Sequence, residues 1–292
     1  MINLYPEEKT ILKLRSKAAN PMMLLKKEKA NMADSESVLY QEHEGVALIT
    51  LNRPESLNAL NTAVLQRLSM LLISVRTSES VKAVIVTGSG KNAFSAGADI
   101  RFLNQATPLG VREFAQLAVM VNHQIETLGK VVIAALNGYA LGGGLELAES
   151  CMIRIAARNA KMGHPEVHIG AVAGFGGTTR LPRLVGKGRA AEILLRGRVV
   201  AAEEALQIGL VQSVVEPEDL LVETNAMIRD ILTHAPIAVK LTWEAIHRGL
   251  NMTLEESTLL GADYFGLVAS TDDFRVGTKA FIEKKSALYS GR

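Results

Sequence analysis

The sequence predicts an α/β fold followed by a helical region, and two observations support this. Before about residue 190, short apolar runs typical of buried strands alternate with longer segments whose apolar residues recur at the helical period. Strands that alternate with helices indicate a largely parallel sheet. Beyond that point the pattern is mostly helical. We therefore expect a disordered extension over residues 1–36, an α/β core over 37–200 and a helical region over 201–292.

Apolar patterning and turn residues predict each element in order. The β-rich run at 46–51 is ended by Asn52-Arg53-Pro54, which favours a turn. The other elements predicted for the core are a helix at 57–77, a strand at 83–87, a helix at 111–128, a strand at 131–136 and a helix that starts near Gly144. The helices predicted for the C-terminal region are 201–208, 217–233, 236–248 and 254–268.

Composition excludes several classes of protein. The chain has 292 residues with 48% hydrophobic content, enough for a sizeable core. Residues 1–31 hold seven Lys/Arg and three Asp/Glu, which leaves 25 basic and 27 acidic residues elsewhere, so the body lacks the charge of a nucleic-acid-binding protein. No apolar run approaches the ~18 residues of a membrane span. The single cysteine, Cys151, fits a reducing compartment and a small buried hydrophobe.

The basic segment 1–31 has two readings. Its seven Lys/Arg would suit an organelle transit peptide, but its three Glu and few Ser weaken that reading. A disordered extension, or a chain that starts in effect at Met32, fits better. We expect a cytoplasmic protein, or a mitochondrial matrix protein if the segment is a transit peptide.

Two glutamates follow glycine-rich turns. Gly142, Gly143 and Gly144 precede Glu146, at the start of an apolar helix, and Glu166 comes twenty residues later. Glycines let backbone N–H groups approach a ligand, and such donors stabilise a carbonyl oxygen that gains charge. Two glutamates beside them could divide acid and base work. Glu146 could equally serve as a helix-capping carboxylate.

Other catalytic motifs do not fit. The sequence has no G-x-G-x-x-G after a strand and no G-x-x-x-x-G-K-[ST]. His164 and His168 flank Glu166, but Pro165 opposes the helix that a metal-binding H-E-x-x-H pair needs. Ser95 lacks the G-x-S-x-G of a nucleophile. We expect no metal site, and Glu149 is interpreted as a solvated or structural group.

Six segments, in order and at characteristic spacing, resemble the enoyl-CoA hydratase/isomerase (crotonase) family. They are 51–60, 94–100, 137–146, 174–181, 205–211 and 280–285. The resemblance implies a crotonase-like spiral of ββα units, with 201–292 as a trimerisation region in a homotrimer or dimer of trimers. It also implies an acyl-CoA thioester substrate and no metal or redox cofactor, because coenzyme A belongs to the substrate. Neither nucleic acid nor a membrane is an expected partner.

The resemblance also assigns roles to residues. Glu146 and Glu166 match the two catalytic glutamates of hydratases, and the N–H groups of Ala96 and Gly143 match the oxyanion hole. The positions that match coenzyme A contacts are Ala59, Ala96, Gly97, Ala98, Asp99, Ile100, Gly143, Phe281 and Lys284. From the residues alone, Asp99 could be a helix N-cap and Lys284 a solvated surface lysine.

The implied activity is hydration of a 2-enoyl-CoA to a 3-hydroxyacyl-CoA. A Δ3,Δ2-enoyl-CoA isomerase could use Glu166 alone, but the presence of Glu146 favours hydration. A non-catalytic or RNA-binding homologue is disfavoured by the near-neutral body. The chain departs from the usual family pattern at Met152, His164 and Ala173, where Asp, Gln and Pro are common.

Overall fold

The computed structural model describes residues 37–292; the extension predicted at 1–36 lies outside this range. The strands are β1 (Val38–His43), β2 (Val46–Leu51), β3 (Ala83–Gly88), β4 (Ala93–Ser95), β5 (Val131–Leu136), β6 (Tyr139–Leu141), β7 (Ile153–Ala157), β8 (Lys161–Gly163), β9 (Val199–Ala201) and β10 (Ser213–Val215). The helices are α1 (Thr62–Thr77), α2 (Ile100–Gln105), α3 (Pro108–Glu126), α4 (Gly143–Glu149), α5 (Gly177–Val185), α6 (Lys187–Arg196), α7 (Ala202–Gln207), α8 (Leu220–Leu232), α9 (Pro236–Gly249), α10 (Leu254–Ala269) and α11 (Asp272–Ile282).

These strands form two sheets. The larger has the order β1-β2-β3-β5-β7-β10 and is parallel except for β1, which pairs antiparallel with β2. The smaller has the order β4-β6-β8-β9 and is parallel except for β9. The predicted α/β class is therefore correct. Since β10 pairs with β7, the larger sheet includes residues beyond the predicted core boundary at 200.

The central strands of the larger sheet are covered on both faces. Every residue of β3 and β5 is buried. Val84 and Val132 belong to the main apolar core with α1 and α3, whereas Ile85 and Ile133 pack in a second cluster with Leu220 and other residues of α8. This alternation follows from the two-residue period of a strand, and burial on both faces explains the continuous apolar runs.

The predicted strands at 46–51, 83–87 and 131–136 are confirmed, but the first helix is shorter than predicted. It begins at Thr62, with the Asn61 side chain accepting a hydrogen bond from the Val64 N–H. The preceding Leu57 and Asn58 have φ of 51° and 56°. Asn58 is buried, and its amide donates to the Ala93 carbonyl oxygen at 2.8 Å. Tertiary hydrogen bonding therefore holds a turn where apolar spacing predicted helix.

The smaller sheet aligns three loops at one edge. β4, β6 and β8 are parallel neighbours of three residues each, so the segments that follow their carboxyl ends emerge side by side. These segments are 96–99, 142–146 and 164–166. The start of α4 also lies directly on β4, since a Cβ added to Gly144 would lie 2.3 Å from the Ser95 carbonyl oxygen. Each segment that carries a predicted catalytic or oxyanion residue is thus at this edge.

The C-terminal residues fold back on α11. The buried carboxylate of Asp273 accepts hydrogen bonds from the N–H groups of Ser290, at 2.7 Å, and Gly291, at 2.8 Å. Lys284 lies in the reversal between helix and tail, with φ of 53°. Among residues 37–292, no helix combines the length and apolar character needed to cross a membrane.

Candidate active site

Two backbone amides lie next to each other at the edge of the smaller sheet. A Cβ added to Gly143 would lie 3.5 Å from the Ala98 nitrogen, and a Cβ added to Gly97 would lie 3.2 Å from the Gly143 nitrogen. Gly143 is the first residue of α4, so its N–H has no acceptor within the helix. Within residues 37–292, neither the Ala98 nor the Gly143 N–H is hydrogen bonded. Both donors are therefore free to bind an oxygen.

Ala96 does not supply the second donor, so the role predicted for its N–H group is wrong. This group donates to the Leu57 carbonyl oxygen at 2.9 Å. Two residues later, Ala98 forms a parallel β-bridge with Leu60. Leu60 donates its N–H to the Gly97 carbonyl oxygen and accepts from the Asp99 N–H, so the bridge does not use the Ala98 N–H. The structure therefore pairs Gly143 with Ala98. The run of small residues alone gave no signal for choosing between the two alanines.

Glu146 is held by amides from another segment of the chain. Its Oε1 accepts hydrogen bonds from the N–H groups of Phe175 and Gly177, each at 2.7 Å. Its side chain is buried, and burial raises the pKa of Glu146 to about 7. The capping alternative is wrong, because the carboxylate accepts no N–H of its own helix. A fixed and buried carboxylate of this kind suits general base chemistry near neutral pH.

A hydrogen-bonded clamp fixes the segment that holds Glu146. The Phe175 carbonyl oxygen accepts from Asn122 Nδ2 at 3.1 Å and from Arg180 Nη1 at 3.0 Å. Arg180 also makes a two-point ion pair with Glu126, with Nε 2.5 Å from Oε1 and Nη2 3.0 Å from Oε2. The orientation of Glu146 therefore depends on α3 and α5 as well as on its own helix. No local sequence pattern indicated this clamp.

Glu166 packs against the glycine turn that precedes α4. It is the first residue of a single 3₁₀ turn, Glu166–Ile169, after Pro165. A Cβ added to Gly142 would lie 2.8 Å from Glu166 Oε1, so this carboxylate packs against the residue next to Gly143. Its side chain is 15% exposed, and Oε2 has no hydrogen-bond partner among the described residues. The structure thus brings Glu166 to the same turn as the free Gly143 N–H.

His164 and Glu149 form a buried pair behind these groups. His164 Nε2 is 2.9 Å from Glu149 Oε1, and both side chains have no exposed surface. Glu149 is therefore a structural group, and the solvated reading is wrong. His168 is instead exposed and contacts the Arg196 carbonyl oxygen at 3.0 Å. No cluster of three side chains able to hold a metal ion occurs in the described part of the chain.

The residues predicted to contact coenzyme A fall into two groups. Asp99 caps α2 and pairs with Arg53 at 3.2 Å, while Arg53 also donates to the Ala59 carbonyl oxygen at 2.7 Å. This first group borders the Ala98 amide. Phe281 and Lys284 belong to the end of α11 and the turn after it, and Phe281 is 85% exposed. Their contact with coenzyme A stays a prediction, as it does for Asp99 and Ala59.

Two carboxylates beside a pair of free amides, on an α/β scaffold, are typical of enzymes that move protons near a carbonyl group. Residues 41–292 match the family described as enoyl-CoA hydratase/isomerase, and the chain belongs to this family. The predicted membership and the crotonase fold are confirmed.

Named relatives agree with this assignment. The chain is 44% identical to crotonyl-CoA hydratase of Syntrophomonas wolfei, over 87% of this chain and 98% of that protein. It is 43% identical to short-chain-enoyl-CoA hydratase of Clostridium acetobutylicum, over 85% of this chain and 95% of that protein. The crystal structure of enoyl-CoA hydratase from Bacillus anthracis superposes with a TM-score of 0.84 at 36% identity, covering 88% of this chain and all of that one.

Proposed function

We propose that this protein is an enoyl-CoA hydratase that adds water across the C2–C3 double bond of a short-chain 2-enoyl-CoA. The observation that carries the proposal is the convergence of Glu146 and Glu166 on the turn that presents the free Gly143 N–H. An enzyme that only moved a proton between carbons would need one such carboxylate. The short-chain preference is supported by the names of the two relatives, a crotonyl-CoA and a short-chain-enoyl-CoA hydratase.

The free amides provide the electrostatic part of the mechanism. The thioester oxygen would accept hydrogen bonds from the N–H groups of Ala98 and Gly143. Attack at C3 moves the electrons of the C2–C3 double bond toward this oxygen, which gains enolate charge. Fixed donors at the oxygen stabilise that charge in the transition state, and removal of one donor typically costs 10²–10³-fold in kcat.

The glutamates provide the proton transfers. Glu146, as the carboxylate, takes a proton from water while the water oxygen bonds to C3. Glu166, which starts protonated, supplies the proton that C2 gains as the enolate collapses, and the two transfers can be concerted. Transfer of a proton from Glu146 to Glu166 then restores the starting state. Because Glu146 Oε1 is occupied by two amides, Oε2 is the oxygen left to face the water. These steps use acid–base and hydrogen-bond chemistry alone, so the proposed function includes no cofactor.

Coenzyme A and assembly complete the proposal. Ala59, Gly97 and Asp99 border the amides and would contact the thioester end of the substrate. Phe281 is exposed at the other end of the chain, as expected of a residue that completes its contacts on a ligand or a neighbouring subunit. We therefore propose a homotrimer or a dimer of trimers in which Lys284 reaches the phosphate region of coenzyme A.

Hydration of crotonyl-CoA by the purified protein tests this function. Loss of the conjugated enoyl thioester absorbance, with formation of 3-hydroxybutyryl-CoA, is the expected result. Glu146→Gln and Glu166→Gln should each reduce kcat by about 10²–10⁴-fold, the usual contribution of a general acid or base. Glu113→Gln, at an exposed carboxylate on α3, is the matched control and should behave as wild type.

The outcome distinguishes the alternatives. If Glu146→Gln retained near wild-type hydration, the mechanism with two glutamates would be wrong. If the wild type converted a 3-enoyl-CoA to the 2-enoyl-CoA but did not hydrate crotonyl-CoA, the protein would be an isomerase.

A further inference from the structure

His164 is a buried ring placed between two carboxylates from different segments. Its Nε2 is 2.9 Å from Oε1 of Glu149, on α4, and its Nδ1 is 3.7 Å from Oε1 of Glu166, on the 3₁₀ turn. Its side chain has no exposed surface. Burial alone would lower the pKa of the imidazole. The charge of Glu149, its hydrogen bond to the ring and the nearby Glu166 outweigh burial and raise the pKa of His164 to about 10. These contacts favour the imidazolium form of the ring.

The imidazolium lies beside Glu146 as well. At Gly177, an added Cβ would meet both His164 Cε1, at 2.7 Å, and Glu146 Cγ, at 3.1 Å. The ring thus borders both glutamates of the proposed mechanism. Nearby carboxylates repel each other, which raises the pKa of at least one, and a cation between them offsets this repulsion.

The other cations near this cluster are engaged elsewhere. Arg180 pairs with Glu126, and Arg154 donates to the Cys151 and Leu210 carbonyl oxygens. Both act on Glu149 at longer range, and Arg180 also acts on Glu146. Within residues 37–292, no cation other than His164 forms an ion pair with Glu146, Glu149 or Glu166. In the described part of the chain, His164 is thus the cation in direct contact with this cluster.

We propose that His164 is a positioning residue, an imidazolium anchored by Glu149 that packs beside Glu166 and whose positive charge favours the carboxylate form of Glu146, the proposed base, near neutral pH. The proposal deepens the hydratase function proposed above and rests on it. At 3.7 Å the Nδ1 to Glu166 distance is too long for a hydrogen bond, so the ring holds this carboxyl group in place by packing beside it. His164 Nδ1 and Glu149 Oε2 have no hydrogen-bond partner among the described residues.

The pH profile of His164→Gln tests the proposal. Glutamine can still donate a hydrogen bond to Glu149 but carries no charge. Without the cation, the pKa of Glu146 rises, so the acidic limb of kcat/KM for crotonyl-CoA should move to higher pH by about one unit. His168→Gln is the control, since His168 is exposed and its hydrogen bond within the described residues is to a backbone oxygen at 3.0 Å. An acidic limb that coincides for the wild type and folded His164→Gln would overturn the proposal.

A second measurement requires no catalysis. In protein labelled with ¹³C at histidine Cε1, the resonance missing from the spectrum of His164→Gln belongs to His164. It should show an imidazolium at pH 8, and Glu149→Gln should move its titration down by at least one pH unit. If His164→Gln failed to fold, single Gln variants of the other five histidines would identify the His164 resonance by elimination. A neutral His164 ring at pH 8 would overturn the proposal. If the wild type did not hydrate crotonyl-CoA, the hydratase function would fail, while this titration would still decide the charge of the ring.

Discussion

Gly143→Ala provides a sharp test of the proposed oxyanion site. A Cβ at this position would lie 2.6 Å from Phe175 Cε2 and 2.7 Å from Cδ2, so the aromatic ring has to move. Behind it, the Phe114 ring is in edge contact at a centroid distance of 5.2 Å. The Phe175 N–H also holds Glu146 at 2.7 Å. The added methyl group therefore disturbs both the free amide and the clamp on the proposed base.

The substitution should have two separate effects, one on stability and one on turnover. Forcing a methyl group into a packed core typically costs about 1–3 kcal/mol, and Gly143 is buried, so unfolding should require that much less free energy. Loss of one oxyanion donor typically reduces kcat by about 10²–10³-fold. The new methyl would also lie 3.5 Å from the Ala98 nitrogen, in the space proposed for the thioester oxygen.

The double variant Gly143→Ala/Phe175→Leu separates these effects. Leucine removes the ring atoms that clash while keeping the N–H that binds Glu146. Thermal denaturation should therefore show stability recovered relative to Gly143→Ala, and crotonyl-CoA hydration should show that kcat is not. Phe175→Leu alone serves as the control. Recovery of near wild-type kcat in the double variant would refute the placement of the oxyanion site at Ala98 and Gly143.

Two further predictions concern groups around the site. Lys284→Ala should raise KM for crotonyl-CoA, more at low salt than at high salt, because salt screens a contact between a lysine and a phosphate. It should change kcat little, because this contact would be equal in the ground and transition states. Unchanged KM at low ionic strength would contradict the coenzyme A role of Lys284. Arg180→Lys should lower stability by about 2 kcal/mol in thermal denaturation and kcat by about tenfold in the hydration assay. Lysine keeps the charge but cannot bind Glu126 at two points and the Phe175 carbonyl oxygen together. An unchanged kcat would show that the clamp does not orient Glu146.

The pattern of apolar residues along the chain predicted the longer strands of the larger sheet. The strands at 46–51, 83–87 and 131–136 are fully buried or alternate with period two, and their apolar runs show this directly. The strands of the smaller sheet were missed, because β4, β6, β8 and β9 have three residues each, too few for a period to appear. Yet this sheet is what aligns the loops of the site.

The family resemblance predicted the two carboxylates of the candidate site but not the hydrogen bonds and ion pairs around them. Glu146 and Glu166 stand in recognisable motifs. The choice between Ala96 and Ala98 depends on which amide is already hydrogen bonded to the 57–60 turn, a tertiary fact absent from the local sequence. The pairing of His164 with Glu149 likewise joins residues fifteen positions apart, through the folding of β7 and β8 between them.

The close packing of α4 on β4 has a consequence for mutational scanning. A methyl group at Gly144 would meet the Ser95 carbonyl oxygen at 2.3 Å, and one at Gly138 would meet the Asn92 carbonyl oxygen at the same distance. Selection for growth would therefore reject every replacement at these positions as strictly as at Glu146, although neither glycine has a role in the proposed chemistry. A list of positions that tolerate no substitution would therefore include structural glycines as well as catalytic residues. Only abundance measured in parallel with turnover would separate residues that build the edge from residues that react there.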